Sequence, residues 1–210
     1  MNLPDPLALL AKVPVIPVLT IDTVDQAVPL ARALCEGGLP AIEVTLRTPT
    51  ALEAIKTIFT RVPEAIIGAG TLRSEADIKP AIEAGARFLV TPGTVPAMAA
   101  ALARAGVPAL PGCATVSEAV ALAALGFKAL KFFPAEASGG TAWLKSVSAP
   151  LPELRFCPTG GIDMSNAGEY LALPNVFAVG GSWVAPREAL ASGDFARIAA
   201  LARNAAGLRP

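Results

Sequence analysis

The sequence predicts an α/β protein: a single domain over residues 1–210 in which eight parallel strands, each followed by a helix, close into a (β/α)8 barrel. Three observations predict it. Short apolar, β-like segments recur eight times, with starts 21 to 26 residues apart. Helical patterns fill the gaps between them. No low-complexity run, linker or shift in composition marks a second domain in the 210 residues. Strand–helix alternation implies a parallel sheet buried on both faces. Eight such units make a barrel of below-average length, the TIM-barrel architecture; an open doubly wound sheet is the alternative.

The elements follow in order. A short helix precedes the first strand, VIPVLT (15–20). Then come AIEVTL (41–46), AIIGAG (65–70), RFLVTP (87–92), PALPGC (108–113), ALKFFP (129–134), LRFCPT (154–159) and VFAVGG (176–181). Each is a brief run bounded by Gly or Pro rather than a long amphipathic stretch. Between them, Thr23 with Gln26 and Thr115 with Glu118 have capping-box spacing. Thr48 before Pro49 reads as an N-cap followed by an N1 proline. Gly38, Gly85, Gly106 and Gly126 stand where helices should close. The last helix is expected near 187–206.

Composition narrows the function. The chain is 53% hydrophobic and 16% charged, against about 25% charged for an average soluble domain. That supplies apolar surface for a core and for a subunit contact. Seventeen acids balance seventeen bases with no long run of one sign, so neither nucleic acid nor an anionic membrane is expected as a partner. The opening MNLPDPLALLAKVPVIP lacks a basic n-region, carries Asp5 and is broken by prolines, which makes it a poor signal peptide. The long uncharged stretches 88–103 and 170–186 contain Pro and Gly and do not read as membrane spans. A cytoplasmic protein is expected. Cys35, Cys113 and Cys157 form no CxxC pair and read as buried thiols.

The chain contains no histidine. Its absence removes Ser-His-Asp and Cys-His catalysis, histidine general bases and nearly all catalytic zinc sites. Chemistry must fall to Lys, Arg, Glu, Asp, Ser, Thr, Tyr or backbone groups. Two strands carry charges inside apolar runs. In ALKFFP, inward-pointing Lys131 takes Ala129 and Phe133 with it and leaves Leu130 and Phe132 to the helices. In AIEVTL the equivalent inward set is Ala41, Glu43 and Thr45, with Arg47 just beyond. These are the sixth and second strands, and alternate strands share layers inside a barrel. Glu43 and Lys131 are therefore expected to meet across the interior.

A plain buried ion pair is the structural alternative, but such a pair often adds no net stability over apolar residues. The functional reading is covalent. Desolvation and a nearby cation such as Arg47 would favour a neutral, nucleophilic amine at Lys131, able to form a Schiff base with a ketone. Glu43 would move the protons, and the Arg47 fork suits a substrate carboxylate. Glycine pairs follow the seventh and eighth strands, in Thr159-Gly160-Gly161 and Gly180-Gly181-Ser182. Loops at this position often hold phosphate in such barrels, with backbone N–H groups and the Ser182 hydroxyl as donors. A glycine pair is also an ordinary turn signal, so these residues leave phosphate and plain turns both open.

EVTLRT (43–48), GAGT (68–71), PGCATVSE (111–118), KFFPAE (131–136), FCPTGGI (156–162) and GGSW (180–183) together carry a family resemblance. The chain resembles the 2-keto-3-deoxy-6-phosphogluconate (KDPG) aldolase family, which also has 4-hydroxy-2-oxoglutarate aldolase activity. The resemblance spans nearly the whole chain and is weakest in the N-terminal arm. It implies a class I aldolase with no metal and no cofactor. Lys131 would be the Schiff-base lysine and Glu43 the proton-transfer residue. Arg47 and Thr71 would hold the pyruvate carboxylate, with Pro92 and Phe133 lining the pocket. Thr159, Gly160, Gly161, Gly181 and Ser182 would lie at the distal end, the glycines and Ser182 on its phosphate. The implied partner is a phosphorylated 2-keto acid and the implied assembly a homotrimer.

The galactonate epimer and 4-hydroxy-2-oxoglutarate compete as substrates. A non-covalent isomerase of phosphorylated sugars and a non-catalytic binding protein are rival classes, and neither predicts a covalent pyruvate adduct. Trp143 and Trp183 read as packing residues, Glu136 as a helix start, and Tyr170 carries no assigned role.

Overall fold

The computed structural model of the chain describes residues 3–208. Its strands are β1 (Val15–Leu19), β2 (Ala41–Thr45), β3 (Ile66–Gly70), β4 (Leu89–Val90), β5 (Ala109–Leu110), β6 (Gly112–Cys113), β7 (Ala129–Phe132), β8 (Arg155–Pro158) and β9 (Val179–Gly181). Every pairing is parallel. Six strands form one ladder in the order β5-β4-β3-β2-β1-β9, and β6-β7-β8 form a second. β5 and β6 are consecutive in sequence and separated by Pro111 alone, which has no N–H to donate. On the other side, single bridges join Phe156 to Val176 and Thr159 to Gly180. The result is a curled parallel sheet with helices on its outer face.

The strands are buried, as a sheet covered on both faces requires, except at Val18, Ile66 and Arg155, which are partly exposed. All five residues of β2 and all four of β7 are buried. The helices present one stripe inward. In Ala51–Arg61 the buried positions are Ala51, Ala54, Ile55 and Ile58, one face at helical spacing. Phe132 stacks on Trp143 of the helix Gly140–Ser148, with ring centroids 4.3 Å apart and planes 11° apart. Trp143 meets Phe156 of β8 edge-on at 5.5 Å. Such pairs add about 0.5–1.5 kcal/mol each beyond the area they bury. They also fix the orientation of β7: Phe132 is anchored outward, so by alternation Lys131 points into the sheet's interior. The outward direction expected for Phe132 and the packing role expected for Trp143 both hold.

The expected short helix is Leu7–Leu10. Gly38, Gly85, Gly106 and Gly126 follow helices with φ of +87°, +100°, +75° and +96°, a conformation that glycine adopts at little cost. The Thr115–Glu118 capping box forms in full, the Glu118 carboxylate accepting from the backbone of Ala114 and Thr115. Three local expectations fail. Thr48 does not cap a helix; its hydroxyl donates to the Ile21 carbonyl at 2.7 Å, and the helix begins at Ala51. Thr23 makes no side-chain cap, and its segment starts as a 3-10 turn, Val24–Gln26. The final helix is two helices, Arg187–Ser192 and Phe195–Ala206, because Gly193 turns left-handed at φ +69° and Asp194 caps the second.

Candidate active site

Lys131 of β7 and Glu43 of β2 meet inside the curled sheet. The Lys131 Nζ lies 3.1 Å from Glu43 Oε1 and 3.3 Å from Oε2. The lysine is 5% exposed and the glutamate 3%. Removing two charges from water carries a desolvation cost that their attraction must offset. The other ion pairs among the described residues lie on the surface. An ammonium facing a carboxylate at hydrogen-bond distance can hand over a proton and become a free amine.

Small neighbours make room for the pair. In register, Lys131 is flanked by Gly112 of β6 and Cys157 of β8. Glu43 is flanked by Gly68 of β3. A Cβ on Gly70, at the end of β3, would stand 2.0 Å from Glu43 Oε1. Threonine hydroxyls tie the surrounding strand ends together. Thr45 donates to the Leu19 carbonyl at 2.8 Å. Thr91 accepts from the Gly112 N–H at 2.9 Å. Burial pushes the Cys157 thiol up to about 12; beside it, Lys131 pulls down and Glu43 pushes up. The thiol is therefore a neutral spacer next to the lysine.

A cavity of about 630 Å³ opens at the C-terminal ends of the strands, and Lys131 and Glu43 lie behind its wall rather than in it. Arg47, Phe133, Thr159, Gly160, Gly161, Gly181 and Ser182 all line it. Phe133 links it to the buried pair: its ring centroid is 5.6 Å from Lys131 Nζ, and the same ring packs against Gly160. Gly160 and Gly161 adopt φ of +100° and +78°, so their loop needs residues without a Cβ. Thr71 and Pro92 are not in the cavity wall. They follow β3 and β4 on the other side of Glu43. Thr71 is the one non-glycine residue with positive φ, +61°, among those described. A β-branched residue there is strained, and such strain collects at functional sites.

The cavity also contains residues to which sequence reasoning assigns no role in a site: Thr20, Asp22, Arg187, Leu190 and Gln26, the last predicted only as a capping-box residue. Gln26 Nε2 donates to the Leu190 carbonyl at 3.1 Å, closing the outer wall. No motif signals them, because the first strand's loop and the last helices are brought together only by the fold. Trp183, read from sequence as packing, lines the cavity over Gly181, with its indole N–H buried and unpartnered. Tyr170 has a role in packing: its hydroxyl donates to Glu136, whose side chain lies against Gly161. Among the described residues, no group of three His, Cys, Asp or Glu side chains is placed to hold a metal ion.

Comparison with known proteins gives concordant matches. A family model described as "Aldolase: KDPG and KHG aldolase" matches residues 7–201. The KHG/KDPG aldolase of Escherichia coli K12 is 46% identical over 192 residues, covering 91% of this chain and 90% of that protein. A KDPG aldolase from Legionella pneumophila, crystallised with pyruvate captured as a covalent carbinolamine, superposes with a TM-score of 0.94 at 42% identity. That match covers 96% of this chain and 98% of the other. The KDPG aldolase of Zymomonas mobilis ZM4 with 3-phosphoglycerate superposes with a TM-score of 0.90 at 43% identity, covering 96% and 95%.

Proposed function

The chain belongs to the KDPG and KHG aldolase family, and from that premise we propose that it cleaves 2-dehydro-3-deoxy-6-phosphogluconate to pyruvate and glyceraldehyde 3-phosphate through an imine on Lys131. It is a carbon–carbon lyase, and 4-hydroxy-2-oxoglutarate, giving pyruvate and glyoxylate, is its second substrate. The observation that carries the reading is the buried Lys131–Glu43 contact at 3.1 Å, joined to the open cavity through Phe133. The covalent pyruvate in the Legionella relative supports the same chemistry here.

Glu43 takes a proton from Lys131, and the freed amine attacks the C2 ketone. The carbinolamine loses water as Glu43 returns a proton to the departing hydroxyl. The protonated imine is the electron sink, so the route needs no metal. Glu43, acting through water, then removes the C4 hydroxyl proton. The C3–C4 electrons flow into the imine, the aldehyde leaves, and an enamine of pyruvate remains. Protonation at C3 and hydrolysis release pyruvate and restore the lysine. Arg47 and Thr71 hold the carboxylate, Pro92 and Phe133 wall the pyruvyl group, and Thr159 lies toward the leaving aldehyde. The backbone of Gly160, Gly161 and Gly181 and the Ser182 hydroxyl take the phosphate.

On this reading the two ladders are parts of one (β/α)8 barrel over residues 1–210. β5 and β6 are then one strand interrupted at Pro111, and the bridge from Thr159 to Gly180 marks closure onto β9, with that from Phe156 to Val176 in the segment leading into it. The site falls at the C-terminal face, where such barrels keep their chemistry. We further propose a cytoplasmic homotrimer. Exposed Val116 and Val120, one turn apart on Val116–Ala124, supply an apolar face for a subunit contact, and light scattering of the purified protein tests the trimer.

Borohydride reduction with pyruvate, followed by peptide mass spectrometry, tests the mechanism. The expected result is a reduced pyruvate adduct on Lys131, absent from Lys131→Ala, which should also lack turnover. An unlabelled folded protein, or near-normal turnover in Lys131→Ala, would overturn the imine route.

A further inference from the structure

Two guanidinium residues line the cavity, and the chemistry above uses one of them. Arg47 follows β2, the strand that carries Glu43. Arg187 is the first residue of the helix Arg187–Ser192 and lines the same cavity as Gly161, Gly181 and Ser182. It is exposed, and its side chain makes no ion pair or hydrogen bond with other described residues. Its neighbour Glu188 is taken by Arg197 at 3.2 Å. Asp22, the acidic residue in the cavity wall, does not pair with it. Nor does the helix account for the charge, since a cation in the first turn opposes the peptide dipoles.

We infer that Arg187 determines specificity by binding the distal phosphate of the substrate, alongside the glycine loops and Ser182. The inference rests on the aldolase reading of this cavity. A phosphorylated 2-keto acid carries an anion at each end, a carboxylate beside the ketone and a phosphate at C6. Arg47 and Arg187 provide one guanidinium residue for each. The guanidinium fork matches two phosphate oxygens at once. Trp183, Ala185 and Leu190 add apolar wall near it, which strengthens the attraction relative to open water. In 4-hydroxy-2-oxoglutarate the second carboxylate is bonded directly to C4. It stays near the breaking bond and gains little from Arg187.

The test compares cleavage of 2-dehydro-3-deoxy-6-phosphogluconate with cleavage of its unphosphorylated parent, 2-dehydro-3-deoxygluconate. The readout is the ratio of their kcat/KM values in the full chain, in Arg187→Ala and in Arg187→Lys. Arg187→Ala should lower the ratio about tenfold through the KM of the phosphorylated substrate, or about 1.4 kcal/mol. Arg187→Lys should recover only part of it, because an ammonium keeps the charge and loses the fork. In the wild-type enzyme the ratio should fall as salt rises, because the contact is partly open to solvent, and this fall should be smaller in Arg187→Ala. An unchanged ratio in Arg187→Ala, with wild-type thermal melting, overturns the role of Arg187 while leaving the aldolase reading intact. A wild-type protein that cleaves neither substrate and traps no pyruvate overturns both.

Discussion

Replacing Gly70 by alanine tests how tightly the buried pair is held. A Cβ at Gly70 would sit 2.0 Å from Glu43 Oε1 and 2.5 Å from its carboxyl carbon. An ordinary contact begins near 3.4 Å, so the carboxylate must retreat by about 1.4 Å, or β3 must bend away. Neither is easy. Glu43 sits in the middle of a fully buried strand, and β3 is paired along its length to β2. Retreat of the carboxylate changes the geometry of its 3.1 Å and 3.3 Å contacts with Lys131. Misplacing a catalytic group by about 1 Å can cost on the order of 100-fold in rate, and we expect that loss in kcat with KM changed little. Overpacking should cost about 1–3 kcal/mol of stability. For a chain of this size that lowers the melting temperature by roughly 2–4 °C per kcal/mol. Steady-state release of pyruvate and a thermal melt measure both. Wild-type kcat in a stably folded Gly70→Ala protein would refute the reasoning, because it would mean that the carboxylate works from a displaced position.

The remaining predictions concern the same site and the buried thiols. Glu43→Gln should lower turnover by about 10²–10⁴-fold, the usual range for a lost acid–base group. Borohydride with pyruvate should label Lys131 more slowly but still in part; complete loss of labelling would mean that no water or other group can stand in for Glu43 in forming the imine. Ser182→Ala should raise KM for the phosphorylated substrate by roughly tenfold or more, as for a lost hydrogen bond to a charged group. It should affect 4-hydroxy-2-oxoglutarate much less, and equal effects would remove Ser182 from the phosphate site. Burial pushes Cys113 and Cys157 up to about 12 and Cys35 to about 11. Because these values are raised in the fold, the stabilisation is fully present below the unfolded value near 9 and drains away as pH climbs toward 12. Native protein at pH 8 should therefore leave Cys113 and Cys157 unlabelled by a thiol reagent, and unfolding should release all three. Rapid labelling of Cys157 in native protein would contradict its burial.

The strand positions were legible because a buried parallel sheet writes itself as short apolar runs between turn residues, and eight were spaced regularly. Pairing depends on neighbours that such runs do not encode. RFLVTP contributes two ladder residues, Leu89 and Val90, and PALPGC divides at Pro111. Helix starts were legible only where local chemistry had no competitor. Thr115 caps its helix because Glu118 reaches back to the same turn. Thr48 had a tertiary competitor: the Ile21 carbonyl, distant in sequence, takes its hydroxyl. Family membership was also legible, since KFFPAE and EVTLRT are specific and the matching segments keep their order along the chain.

The meeting of Lys131 and Glu43 followed from period-two alternation on two strands, which is why so simple a rule found it. The conditions that let them meet were not visible in that pattern. They are clearances: glycine at 70 in front of the carboxylate, and glycine at 112 and a thiol at 157 on either side of the lysine. In the sequence Gly70 reads as the end of a strand and Cys157 as one more apolar position. Their meaning depends on what faces them across the sheet. The same holds for Arg187 and Gln26, which come from opposite ends of the chain to one cavity wall. A motif names the groups that react because their chemistry is unusual in an apolar run. The groups that leave them space or shape the far end of the cavity are ordinary residues, and only the packed chain distinguishes them.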